Sequence, residues 1–137
     1  MKFLPATASI SVLAIVSSIV LVACATSNRD TAMTEEQRKQ AMDLTLAWGR
    51  LAPLPTSAQE LTITTEGGMF TRTFRTHFKA SKEDLETWIR TSPGLSSAES
   101  TYADGKRKYI IKPGEGANRA EVIIGDDGSV EIYTSWS

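Results

Sequence analysis

The chain has 137 residues, with 15 Lys and Arg against 16 Asp and Glu, a formal net charge of −1, one cysteine and one histidine. A near-neutral polypeptide lacks the global field that steers nucleic acid, so no nucleic-acid partner is expected. One cysteine excludes an intramolecular disulfide, and with one histidine it excludes Cys/His zinc sites, so no metal or cofactor is expected.

The chain starts basic (Met1, Lys2), stays apolar or weakly polar from Phe3 to Val22, and carries no acid before Asp30. That is the layout of an export signal, which belongs outside any reasoning about the fold. It closes on Leu21-Val22-Ala23-Cys24, which resembles the lipobox of bacterial membrane lipoproteins. The resemblance implies that the Cys24 thiol is acylated and that residues 1–23 are removed. Residues 24–33 then form the lipidated N-terminus and tether, and 34–137 a single domain. More than one acyl chain, at about 0.8 kcal/mol per buried CH₂, fastens a protein stably where a single chain does not. With Ala25 rather than Asp after the cysteine, the resemblance implies a periplasm-facing outer-membrane location in a host with two membranes. Two other readings stay open: ordinary secretory cleavage after Ala25, and retention of the apolar run as a membrane-spanning anchor.

Ala25 to Met33 reads as the tether, and nine extended residues span at most roughly 30 Å. Thr34-Glu35-Glu36-Gln37 is a capping-box start. Ala41, Leu44, Trp48 and Leu51 follow at helical spacing, and Pro53-Leu54-Pro55 is expected to stop that helix. Leu61 to Thr65 alternates as a strand, Gly67-Gly68 turns the chain, and Met69 to Lys79 returns. Strict alternation puts Phe70, Arg72, Phe74, Thr76 and Phe78 on one face of that strand. Thr71, Thr73, Arg75, His77 and Lys79 fall on the other. Ser81 caps a second helix bearing Leu85, Trp88 and Ile89, which Ser92-Pro93-Gly94 ends, and Leu95 to Ala103 reads as a flexible serine-rich stretch. Lys106–Lys112, Arg119–Gly125 and Ser129–Trp136 read as a three-strand meander, its last turn the Asp126-Asp127-Gly128 segment. The element order α-β-β-α-β-β-β describes a single small α+β domain: an antiparallel sheet of about five strands with two helices packed on one face.

No motif for nucleophilic catalysis is present, so a non-enzymatic domain is expected. Asp126-Asp127 lacks the spaced acids and terminal Glu of a calcium loop and reads as a hairpin turn. Arg72 is the anomaly, because an unpaired cation on a buried face is costly. A bulge, a place at the sheet's rim or a partner carboxylate would resolve it. Failing those, Arg72 is a bidentate reader of a carboxylate or phosphate. Arg75, His77 and Lys79 form a basic strip that could meet an anionic polymer, unless acids such as Glu121 or Glu131 pair with it across strands. Trp136, with Tyr133 beside it, is the C-terminal aromatic candidate for binding.

Four segments, Met69 to Arg75, Trp88 to Gly94, Lys112 to Ala117 and Glu131 to Ser137, resemble those of small bacterial lipoproteins to which no activity attaches. Only Cys24 carries over, as the lipidation site. The expectation is a lipid-anchored envelope protein that binds or scaffolds an envelope protein or anionic polymer. The alternatives are an immunity or inhibitor lipoprotein against a toxin or wall-lytic enzyme and, third, a hydrolase using His77.

Overall fold

A computed structural model describes residues 33–137; the leader, Cys24 and nearly all of the tether lie outside the described residues. The elements are α1 (Glu35–Gly49), β1 (Gln59–Glu66), β2 (Arg72–Lys79), α2 (Lys82–Thr91), α3 (Pro93–Ser96), β3 (Glu99–Ala103), β4 (Lys106–Ile111), β5 (Arg119–Gly125) and β6 (Ser129–Trp136). All strands pair antiparallel in one sheet of order β1-β2-β6-β5-β4-β3. The α+β class is as expected.

The sheet has six strands rather than five, and the helices among the described residues number three. The added strand lies within the stretch expected to be flexible, and the added helix begins just before it and runs into it. Pro93 opens α3 instead of merely ending α2, because its fixed φ suits a first helical position. Strand β3 pairs with β4 along all five of its residues yet exposes every side chain, so no apolar alternation marks it. The two are joined through Asp104 and Gly105, at φ 53° and 73°, the left-handed pair that a tight hairpin turn requires.

Helix α1 begins as its sequence dictates. The Thr34 side chain accepts from the Gln37 N–H, and the Gln37 side chain accepts from the Thr34 N–H at 2.9 Å. It ends at Gly49, ahead of the prolines that were expected to stop it. Arg50 takes a left-handed conformation there, and the Leu51 N–H donates to the Leu46 carbonyl at 2.9 Å. That closure satisfies carbonyls the helix end would otherwise leave orphaned.

One face of the sheet is dry. Ile63, Thr76, Ile132, Val122 and Tyr109 align in register across five strands, all of them buried. The helices cover this face. Leu85 and Trp88 of α2, Leu95 of α3 and Leu51 join Phe78, Val122, Val130 and Ile132 in the larger core cluster. Ala41 and Trp48 of α1 pack with Ile63 and Phe74 in a smaller one. Trp88 fastens the layers together: its ring meets Phe78 edge-on at 5.7 Å, and its indole N–H donates to the Ala52 carbonyl at 3.0 Å. Gly94 sits so close to the end of α1 that a Cβ there would lie 2.0 Å from the Gly49 carbonyl oxygen, so only glycine fits. Among the described residues no helix is long and apolar enough to cross a membrane.

Three threonines sit in this core. The Thr45 hydroxyl donates to the Ala41 carbonyl at 2.8 Å. Those of Thr76 and Thr134 are fully buried and have no hydrogen-bond partner among the described residues. A buried, unsatisfied hydroxyl costs roughly 1–3 kcal/mol, and valine has the same shape without that cost. Thr134→Val is therefore expected to raise unfolding stability by about 1 kcal/mol, whereas Thr45→Val, which removes a made bond, gives no gain. Urea midpoints of the two variants check this.

Candidate functional site

Among the described residues, no helix covers the opposite face of the sheet. Strand register places its side chains in rows. Arg75 of β2 stands beside Tyr133 of β6, which stands beside Glu121 of β5. In the next row His77 stands beside Glu131, and Glu131 beside Ile123. Arg75, His77 and Lys79 therefore share this face, as alternation predicts.

The centre of the face is Tyr133 held between two guanidinium groups. Arg75 lies 4.9 Å from its ring centroid and Arg119 5.3 Å, each within the range of a cation–π attraction. Both cations also meet acids. Arg75 is 3.9 Å from Glu66 and 3.9 Å from Glu131. Arg119 donates to Glu121 from Nη2 at 2.7 Å and from Nε at 2.9 Å, and Lys108 approaches the same carboxylate at 3.2 Å. Cross-strand pairing thus engages Arg75 with Glu131, as one of the expectations had it. Glu121 belongs instead to Arg119 and Lys108, and Lys79 reaches Glu60 at 3.7 Å. Burial works to raise the Glu121 pKa, but the Arg119 and Lys108 hydrogen bonds and charges outweigh it and hold the carboxyl below its usual range. Arg75, Arg119, Glu121, Glu131 and Tyr133 line, with Ile123, a shallow depression of about 190 Å³, below the roughly 300 Å³ at which small-molecule pockets begin. Charge pairs around a stacked aromatic on a broad, shallow face suit contact with an extended surface.

His77 is exposed, and its imidazole makes no hydrogen bond among the described residues. Its cross-strand neighbours are Thr62 and Glu131, and the open sheet face around it forms no deep pocket.

The alternation argument fails at the start of β2. Phe70 and Arg72 were expected on the buried face. The strand begins only at Arg72, and Phe70 lies in the loop, exposed. Arg72 stands opposite Trp136 at the sheet's rim, where solvent reaches its guanidinium, so no buried cation needs compensating. Trp136 is likewise a half-exposed rim residue rather than core. Arg72, Trp136, Met69, Leu44 and Trp48 border a second depression of about 270 Å³.

A third, of about 310 Å³, runs between α2 and the β3–β5 side of the sheet. Its walls are Leu85, Ile89, Tyr109 and Ile124, with Tyr102 and Asp126 at the rim. The Tyr102 hydroxyl donates to Asp126 at 2.6 Å, and that bond raises the Tyr102 pKa. Asp127 accepts from the Ser129 N–H and hydroxyl at 3.0 and 2.6 Å. The segment forms the β5–β6 hairpin turn, as expected, with Asp127 bonded inside it and Asp126 reaching across to β3.

Tyr133, Arg119 and Glu121 are the site residues that spacing alone did not single out together. Alternation within β6 and β5 puts Tyr133 opposite Ile132 and Glu121 opposite Val122. What unites them is the strand order. Comparison with family models, with curated proteins and with solved structures returned no match.

Because the folded Glu121 pKa is depressed, its pairing stabilises the fold above the unfolded value of about 4.3 and is lost as pH falls through the lower folded value. Glu121→Gln is expected to lower the urea midpoint at pH 7 and to narrow the difference between pH 7 and pH 3. Unfolding curves at the two pH values measure both effects.

Proposed function

We propose that this protein is a lipid-anchored component of the bacterial cell envelope. In this reading Cys24 carries the lipid, and the domain is a non-enzymatic binding module that meets an envelope protein or anionic polymer through the open face of its sheet. What supports the anchor is the lipobox Leu21-Val22-Ala23-Cys24, with nine residues between the cysteine and the Thr34 cap of α1. What supports the module is a single observation: among the described residues, no helix covers one face of the six-stranded sheet, which presents Tyr133 between Arg75 and Arg119. Tyrosine and arginine are the side chains most enriched where protein surfaces meet partners. Arg75 and Glu131 remain partly exposed while paired, so a partner's acid or base can take over either charge without first uncovering it.

Two experiments test the two halves. Labelled palmitate is expected to enter the wild-type protein and fractionate with membranes. Cys24→Ala is expected to take up none and to retain its leader, and an unlabelled wild type overturns the anchor. For the face, a photo-crosslinking residue at Thr73 in intact cells is expected to trap one discrete adduct that Tyr133→Ala weakens. The same residue at Glu86 on α2 is expected to trap none. Equal trapping at both positions overturns the face assignment.

A further inference from the structure

We propose that the tip of the β1–β2 hairpin, Met69 and Phe70, is a second contact with the lipid bilayer, inserting between headgroups while Arg72 meets their phosphates. This rests on the reading of Cys24 as lipid-bearing. The loop is Gly67-Gly68-Met69-Phe70-Thr71. Gly67 takes φ +133°, and a Cβ there would lie 2.1 Å from the Thr71 carbonyl oxygen, so the loop closes on its own base. Met69 and Phe70 stand outside that closure, 89% and 76% exposed, the two most exposed large apolar side chains among the described residues.

Their surroundings have the chemistry of a membrane surface contact. No acid occurs from Gly67 to Ala80, and Arg72 stands exposed at the base of the loop with no ion pair among the described residues. Trp136, half exposed, stands opposite Arg72 at the same end of the sheet, and tryptophan favours the headgroup level where one edge is apolar and the other wet. An apolar tip backed by an unpaired cation suits anionic lipid.

Chain length specifies the bilayer as the occupant. The tip borders a depression shared with Leu44 of α1, which lies roughly 16 Å of helix beyond Met33 at 1.5 Å per residue. The span from Cys24 to Glu35, the first residue of α1, cannot exceed roughly 40 Å. A tip on so short a lead stays within reach of the membrane whenever the cysteine is embedded in it.

The test uses the processed lipoprotein in vesicles of phosphatidylethanolamine and phosphatidylglycerol. Acylation consumes the natural thiol, so Phe70→Cys, Met69→Cys and, on α2, Glu86→Cys each offer one site for a nitroxide. The ratio of oxygen to nickel-chelate accessibility is expected to be several-fold higher at positions 69 and 70 than at 86. Equal, water-like ratios at all three positions in protein whose intact mass includes the acyl chains overturn the tip contact alone. A mass without acyl chains overturns the anchor reading, and the tip contact with it.

Discussion

The structure depends on one constraint: a six-stranded sheet must keep water off one face, and among the described residues three short helices cover it. α1 crosses the sheet near β1, β6 and β5, while α2 and α3 cover the rest. Trp88 sits where this cover joins. Its ring fills the space over Phe78, and its N–H holds the chain leaving α1. Ser92 adds a second tie, accepting from the Ala52 N–H at 2.9 Å. The Gly94 N–H then donates to the Arg50 carbonyl at 2.8 Å, drawing α3 against the end of α1. Polar bonds thus set where the apolar residues meet, and burial supplies most of the free energy.

Covering one face leaves the other to be managed by charge. Arginine and lysine on β2, β4 and β5 meet glutamates on β1, β5 and β6, so Arg75, Lys79, Lys108 and Arg119 of the open face are each paired. Exposed pairs of this kind contribute little to stability. Glu121 is the exception, because its side chain is only 12% exposed and two cations hold it. The face is therefore built around one fixed carboxylate, with looser pairs towards β1.

Much of the architecture was readable where a local rule acts alone. Thr34 and Gln37 announce α1, Ser81 announces α2, and alternation sorts Arg75, His77 and Lys79 from Phe74, Thr76 and Phe78. The rest required information that spacing does not hold. Strand β3 exposes every residue, so only the Asp104-Gly105 pair signalled it. Arg50 ends α1 in a conformation usually given to glycine, and its helix therefore stops before the prolines. Phe70 and Arg72 obey the alternation formally, but the sheet runs out beneath them. The cluster of Arg75, Tyr133, Arg119 and Glu121 exists because β6 inserts between β2 and β5, and nothing local to any strand dictates that order.

The division of the interior into two unequal clusters has a mechanical meaning. The chain enters the domain through α1, whose Ala41 and Trp48 share the smaller cluster with Ile63 and Phe74. Tension arriving from the N-terminal side is borne first by those four buried residues. The eleven of the larger cluster, which include two buried residues from each of β4, β5 and β6, lie behind them. Sub-global opening follows such seams. A tug on the N-terminal lead would peel the first helix from the outer hairpin while the central strands stay closed, giving the domain a compliant end and a stiff one.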